Sequence, residues 1–379
     1  MAQPVPFAVA AALAATLAAA VWAQGPRMVA LAVIGILLGA TLCLSSFGFT
    51  SAYRRLLEGR GVQAVRAQVL MLAAATVLFA PVLAQGAWFG REVVGAIAPA
   101  GVQVAAGAFL FGVGMQLAGG CGSGSLYAAG NGQGRMLVVL AAFCAGSFWA
   151  SLDMAYWGRL PALEPVSLGE RVGWPAAVAL QLAILAALYA LLGRLPGAAA
   201  DAPPAIAASR ERIWRGPWPL AAGALVLAAL NFLTLIVAGH PWSITWAFAL
   251  WGAKSARTFG WEPGTDGFWS ADFQRDALDA SVFADVTSVM DFGIVVGALA
   301  AASLGGGFRP RFGPSPGALI AAALGGIAMG YGARIAFGCN VGAFFSGVAS
   351  TSLHGWLWIA AALPGSWVGL KLRPRFSIA

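Results

Sequence analysis

Two cysteines in this chain stand in the same local pattern. The first pattern runs Gly112-Val-Gly114-Met-Gln116-Leu-Ala118-Gly-Gly120-Cys121-Gly122-Ser123-Gly124. The second runs Gly330-Tyr-Gly332-Ala-Arg334-Ile-Ala336-Phe-Gly338-Cys339-Asn340-Val-Gly342. Both read GxGxxxAxGCxxG at an offset of 218 residues, and six fixed positions at one spacing rarely arise by chance. Each cysteine ends a long apolar run and precedes a short one. Ser123 and Asn340 are good helix caps. Each thiol is therefore expected beside the N-terminus of a short helix, where free N–H groups and the positive dipole end favour an anion. The alternative use of a membrane cysteine is as a small packing residue, which suits Cys43 and Cys144 better than the paired two.

The elements that hold these motifs must be membrane helices. Of 379 residues, 60% are apolar and only 9% charged, and the mean hydropathy is +0.81. Soluble proteins carry roughly 25% charged residues, so a soluble enzyme, a disordered chain and a nucleic-acid-binding module are excluded. No nucleic-acid partner is expected; the lipid bilayer is. The four cysteines form no CxxC or CxxH pair and there are two histidines, His240 and His354, so no metal or haem centre is expected. No GxxxxGK[ST] nucleotide motif occurs. Neither a cofactor nor catalysis by an enzyme is expected.

The apolar runs predict an all-α polytopic membrane protein with about ten spans. They fall near 7–23, 28–45, 67–85, 98–118, 136–157, 174–193, 219–238, 286–304, 316–337 and 353–371. Four intervening segments, near 46–56, 119–132, 240–255 and 338–351, are too short to span and too apolar for loops. They are expected to be short re-entrant helices. Basic clusters at Arg54–Arg66, Arg194–Arg215, Arg309–Arg311 and Lys371–Arg375 can all lie in the cytoplasm of a bacterial-type inner membrane, with both termini inside. The acid-rich loop 257–285 then lies outside. The net charge of +8 follows mainly from these topology signals. The domain reading is an extra N-terminal helix at 1–27, a first repeat at 28–195, a cytoplasmic linker at 196–216 and a second, inverted repeat at 217–379. Inverted repeats with broken helices meeting near the midplane are a transporter pattern, and repeat symmetry places Cys121 and Cys339 near a common central axis.

Arg334 sits five residues before Cys339 in an apolar run. A charge there faces a cavity or a partner; an anion and Asp291 are both open as that partner. Lys254 and Arg257 follow the third short segment, where they either form a basic vestibule or snorkel to the interface. Trp242, Trp246, Trp251, Trp261 and Trp269 are expected mostly in the interfacial belt.

The chain resembles the YeeE/YedE family of membrane proteins. The likeness rests on Leu117-Ala-Gly-Gly-Cys121-Gly-Ser-Gly-Ser-Leu-Tyr127, on Gly332-Ala-Arg334-Ile-Ala-Phe-Gly-Cys339-Asn-Val-Gly342, and on Pro241-Trp242-Ser-Ile-Thr245-Trp-Ala-Phe-Ala-Leu-Trp251-Gly252. It covers about residues 28–370. The resemblance implies uptake of thiosulfate or a similar small sulfur anion, passed by central thiols, with a cytoplasmic TusA-type sulfurtransferase as the inner acceptor. Cys121 and Cys339 match two of the family's central cysteines; Gly120, Gly122, Ser123, Gly338, Asn340 and Arg334 are expected as substrate-contacting positions from the motifs themselves. The family has a third cysteine in an FCF-like motif; here the stretch reads Phe47-Gly48-Phe49, so Gly48 stands in its place. Cys43 is five residues earlier and cannot simply replace it on the same helix face; either one relay station is missing or a backbone N–H serves in its place. The competing reading is a membrane sensor of a sulfur compound that signals to a cytoplasmic regulator. A thiol-redox membrane enzyme is weaker, since nothing in the sequence supplies its redox partner.

Overall fold

Long apolar stretches in a medium without hydrogen-bonding solvent must satisfy their own backbone, which leaves the helix as the only open-chain solution. The computed structural model, which describes residues 2–195, 210–311, 313 and 315–378, is built that way. Helices α1 (Pro4–Trp22), α2 (Pro26–Ser45), α3 (Phe49–Leu57), α4 (Gln63–Gln85), α5 (Val102–Ala118), α6 (Gly122–Gly130) and α7 (Arg135–Leu152) form the first part. Next come α8 (Trp174–Leu192), α9 (Leu220–Ala238), α10 (Thr245–Thr258), α11 (Asp272–Asp279), α12 (Val286–Gly305) and α13 (Pro316–Ile335). A π-helical turn Asn340–Phe345 runs into the short α-helix Ser346–Ala349, and α14 (Leu353–Leu372) closes the chain. Two short antiparallel ladders, Ala87–Trp88 with Arg91–Glu92 and Ala100–Gly101 with Ala162–Leu163, are the sheet among the described residues.

The chain is an all-α polytopic membrane protein. Nine helical stretches among the described residues are long and apolar enough to cross a membrane. The tenth expected span is present as α14, but His354, Trp356, Trp358 and Trp367 make it less apolar than those nine. Short helices occupy all four of the segments singled out by length: α3, α6, α10 and 340–349. The expected span 136–157 is shorter than predicted. Its helix stops at Leu152, and Asp153, the residue after it, accepts from the Tyr331 hydroxyl at 2.8 Å. The span expected from 98 begins as a helix only at Val102, because Ala100 and Gly101 pair with the loop after α7. Of the 196–216 linker, residues 196–209 lie outside the described residues.

The helices pair in a reciprocal way. α7, which follows the first cysteine motif, packs on α13, which precedes the second; α14, which follows the second, packs on α5, which precedes the first. α2 packs on α12, and α9 on α4. At the α5–α13 crossing, a Cβ added at Gly107 would meet the Gly332 carbonyl, and one at Gly325 would meet the Gly114 carbonyl. These two pairs exchange under the 218-residue offset of the motifs. At the α2–α12 crossing, Gly35 and Gly39 face Gly293 and Gly297, so two GxxxG faces meet backbone to backbone. Apolar side chains on α1 (Val5, Val9, Leu13) and α8 (Leu180, Ile184, Leu191) stay exposed toward the bilayer.

The loop expected outside, 257–285, is not a plain loop. It contains α11 and folds back on α10, burying Trp269 and Leu278 with Ala249, Leu250 and Ala253. Trp242 and Trp269 are 2% and 3% exposed, so they are core residues rather than belt residues. Lys254 donates to the Leu278 and Ala280 carbonyls at 2.7 and 2.6 Å, and Arg257 pairs with Asp279 at 2.7 Å. These two cations pin the loop instead of forming an open basic vestibule.

Because the α2–α12 crossing leaves no room for a Cβ, Gly39→Val is expected to cost about 1–3 kcal/mol by overpacking. Thermal unfolding in detergent should show a melting point lower by several degrees. Gly307→Ala, whose methyl would have the Ala302 carbonyl at 3.8 Å, should leave it unchanged.

Candidate anion-binding site at two interrupted helices

The two motifs end and restart helices along the same backbone path. α5 ends with Gly119 in the left-handed region (φ 78°), and Cys121 is extended (φ −86°, ψ −168°) as the residue that starts α6. α13 ends with Phe337 left-handed (φ 58°), Gly338 follows at φ 148°, and Cys339 is extended (φ −100°, ψ −163°). Phe337 holds a conformation that suits glycine, its counterpart at the first motif. The Gly338 N–H bond to the Ala333 carbonyl, at 2.8 Å, closes this turn. Ser123 and Asn340 do not cap; the cysteines themselves occupy the cap positions, with Ser123 and Asn340 inside the first turn.

Each sulfur sits over backbone donors. The Val341 N–H donates to Cys339 Sγ at 3.5 Å, and the Gly342 N–H also faces it. Cys121 Sγ lies 3.5 Å from Ser123 Oγ, with the amides of Gly124 and Phe49 turned toward it. The Phe49 amide follows Gly48, so a backbone donor, not a thiol, approaches Cys121 from that segment. A Cβ built on Gly48 would lie 3.1 Å from Ser51 Oγ and 3.7 Å from Tyr127 Oη.

The two motifs meet. A Cβ on Gly122 would lie 3.5 Å from Cys339 Sγ, 3.5 Å from Ile244 and 3.9 Å from Phe143. The second sulfur thus rests on the first turn of α6, beside Cys121. Both cysteines are buried (1% and 0% exposed), as are Ser123, Ser125 and Asn340. Phe143 and Phe248 pack at 4.6 Å and Phe111 with Trp358 at 5.4 Å, walling the site; Trp358 donates to the Gly338 carbonyl at 3.1 Å. Asn340 donates to Tyr53 Oη at 3.4 Å while its Oδ1 has no hydrogen-bond partner. Ser125 Oγ and Thr50 Oγ1 are likewise buried without one. Buried polar atoms normally have partners, so this cluster retains bonding capacity for something small and polar.

Arg334 does not pair with Asp291, whose carboxyl oxygens have no hydrogen-bond partner. Its guanidinium lies 4.9 Å from the Phe268 ring centroid, on the wall of a cavity of about 640 Å³. Arg27, His240, Ser243 and Asp285 share that cavity, under the 257–285 loop. Its Ser243 lies against Gly342, so this lining residue stands between the cavity and the Cys339 turn. At the opposite end of α2, a second cavity of about 300 Å³ is lined by Cys43, Ser46, Asn131 and Arg215. Of the residues singled out in the sequence, the structure brings Cys121, Cys339 and Gly122 together and sets Arg334 apart on the cavity wall. Sequence reasoning missed Ser243, Ile244, Tyr53, Thr50 and the aromatic wall, whose types are ordinary for membrane segments and whose positions depend on long-range packing.

Residues 44–368 match a family described as sulphur transport. The chain belongs to this sulphur transport family. The match runs from the end of α2 into α14, both cysteine motifs included. The family member named "Thiosulfate transporter TsuA", from Spirochaeta thermophila, is 27% identical over 361 residues, covering 88% of this chain and 95% of that protein. The protein named "Probable transporter YedE", from Escherichia coli, is 32% identical over 169 residues, covering 44% of this chain. Its counterpart from Salmonella typhimurium is 31% identical over 163 residues, covering 42%. Each of these two matches spans 40% of the YedE protein's own length. The family description and these names are those of transporters rather than enzymes.

Within the sulphur transport fold, Gly122 is the point where the two motifs touch. Gly122→Ala adds a methyl at ordinary van der Waals distance, 3.5 Å, from Cys339 Sγ, so the protein should fold with an unchanged melting point. If an anion passes where the two motifs touch, its transport in proteoliposomes should fall about tenfold, the effect of roughly 1.4 kcal/mol.

Proposed function

We propose that the protein carries thiosulfate, or a closely related small sulfur-containing anion, across the bacterial inner membrane into the cell. The observation that carries this reading is the meeting of two buried thiols at the starts of two interrupted helices. A dianion entering a low-dielectric interior loses hydration, at a penalty larger than the several kcal/mol of a single charge. Hydrogen bonds to a charged group contribute about 1.5–3 kcal/mol each. Four or five weak donors offset that penalty without holding the ion fast, and conduction requires such weak holding. The thiols of Cys121 and Cys339, the amides of Phe49, Gly124, Val341 and Gly342, and the hydroxyls of Ser123 and Ser125 are donors of this kind. The polarizable terminal sulfur of thiosulfate suits thiol contacts, and its oxygens suit the amides.

In this reading, Arg334 and Arg27 raise the anion concentration in the larger cavity. The anion then passes Ser243 to Cys339, crosses Gly122 to Cys121, and leaves past Gly48 and Phe49. The Gly120 and Gly338 turns keep the backbone close enough for its amides to serve. The chain is organised as two inverted repeats, 28–195 and 217–379, after an extra helix at 1–27. The short helices are re-entrant, and both termini are cytoplasmic. The reciprocal packing of α5, α7, α13 and α14 and the exchanged glycine pairs support that arrangement. A TusA-type sulfurtransferase is the proposed inner acceptor. Support for the substrate comes from the similarity to TsuA over most of both chains.

The test is uptake of radiolabelled thiosulfate into proteoliposomes by the wild type, Cys121→Ala and Cys339→Ala. Uptake by the wild type that falls at least about tenfold in each folded variant supports a two-thiol pathway. Folded wild type that binds thiosulfate but moves none would overturn transport in favour of a sensor.

A further inference from the structure

Asp291 has no part in the pathway described so far. It lies in α12, is 0% exposed, and neither carboxyl oxygen has a hydrogen-bond partner. An ionised carboxylate in such a place is costly unless paired, and it avoids the cost by taking a proton or a cation. Intramembrane ionisable groups of this kind are functional by default.

Its position links the two parts of the proposed path. Asp285, six residues earlier, lines the larger cavity and is held by the Trp246 indole at 2.8 Å and the Ser288 N–H at 2.7 Å. Six residues of helix place Asp291 about 9 Å deeper than Asp285. There it is within electrostatic reach of Cys339 and of Cys144 on α7.

The surroundings favour a proton over a metal cation. A metal cation needs several oxygen ligands. Beside Asp291 the Trp251 and Phe292 rings stack at 5.0 Å, and the nearby Ser288 hydroxyl is taken by the Trp251 indole at 2.9 Å. No cluster of three or more His, Cys, Asp or Glu occurs among the described residues. The charged and titratable groups on the elements around it are few. α12 itself brings Asp285, α7 brings Cys144 and the second motif Cys339. α2 brings Arg27 at the cavity rim and Cys43 near its other end, α6 brings Tyr127, and α13 brings Arg334 on the cavity wall; the short helix Arg210–Arg215 brings Glu211, Arg212 and Arg215 at the far end of α12, beside Gly305. α10 brings Lys254, which is bound to two carbonyls, and Arg257, which is paired with Asp279 and Glu262. α1 brings none.

We propose that Asp291 is a proton-binding site that couples passage of the anion to an inward proton gradient. This inference rests on the transport reading above. An anion at Cys339 repels an ionised Asp291 and tolerates a protonated one. Anion binding therefore raises the proton affinity of Asp291, and by linkage the proton raises the anion affinity by the same factor. The proton is taken up from the larger cavity past Asp285 and released on the far side once the anion has left.

The experiment uses full-length protein in liposomes, with the membrane potential clamped at zero and labelled thiosulfate on both sides. With one proton coupled, the wild type should accumulate the anion about tenfold for each unit by which the outside is more acidic. A protonophore should abolish the accumulation. Asp291→Asn, which keeps the volume and a neutral amide, should equilibrate thiosulfate without accumulation at any pH gradient. Separately, infrared spectra of solubilised protein near neutral pH should show a protonated-carboxyl band that Asp291→Asn removes. Wild-type equilibration without accumulation, accumulation driven by sodium instead, undiminished accumulation by Asp291→Asn, or absence of the band would each overturn the proposal. A wild type that moves no thiosulfate at all, even downhill, overturns the transport reading itself. That result differs from flux that ignores the pH gradient.

Discussion

Backbone N–H groups freed by ending one helix and starting another must find an acceptor, because hydrocarbon offers none. This chain frees such groups at two equivalent places, the turns at Gly119–Cys121 and Phe337–Cys339. It buries both. The Gly119 N–H is closed by the Met115 carbonyl and the Gly338 N–H by Ala333, so the outgoing turns are satisfied. The first amides of the restarting helices are not all spent that way; they turn toward the two sulfurs. A soft, weakly accepting atom is thus placed where a strong acceptor would bind. A small anion entering the site competes only with those weak thiol contacts.

Everything around the site serves that placement. The interrupted helices can meet only if the long helices carrying them come close, and close approach requires glycine at the crossings. The GxxxG faces of α2 and α12 and the Gly107–Gly332 and Gly114–Gly325 contacts bring backbones together. The apolar residues left over face lipid on α1 and α8. The 257–285 loop, stapled by Lys254 and Arg257, roofs the larger cavity rather than standing clear of it.

Much of this was legible in the sequence, for identifiable reasons. The spans and the four short helices follow from the length of apolar runs, which the bilayer thickness constrains. The motif repeat announced that Cys121 and Cys339 are equivalent, and the structure brings Cys339 against the helix that Cys121 starts. What failed were readings that depend on tertiary packing. Trp242 and Trp269 carry the composition of an interfacial belt, but Trp242 is buried in the main core and Trp269 where the loop folds back on α10, a loop whose helix α11 is too polar to stand out. The alternatives for Arg334 could not be separated by spacing, because whether it reaches Asp291 depends on how α12 and α13 are rotated. Ser243 sits in a run that carries the resemblance but is not singled out by its type, and neither is Thr50; only the folded chain places them beside the motifs.

The central claim is that a sulfur anion occupies the junction of the two cysteine turns. A crystal structure of the protein with selenosulfate, a thiosulfate mimic with selenium as its terminal atom, tests it most directly through anomalous scattering. A selenium peak is expected within roughly 3.5–4 Å, weak hydrogen-bonding range for sulfur, of Cys121 or Cys339 Sγ. The oxygens should then lie toward the amides of Val341, Gly342 or Gly124. A peak confined to the large cavity near Arg334, with the thiol junction empty at saturating ligand, would contradict it.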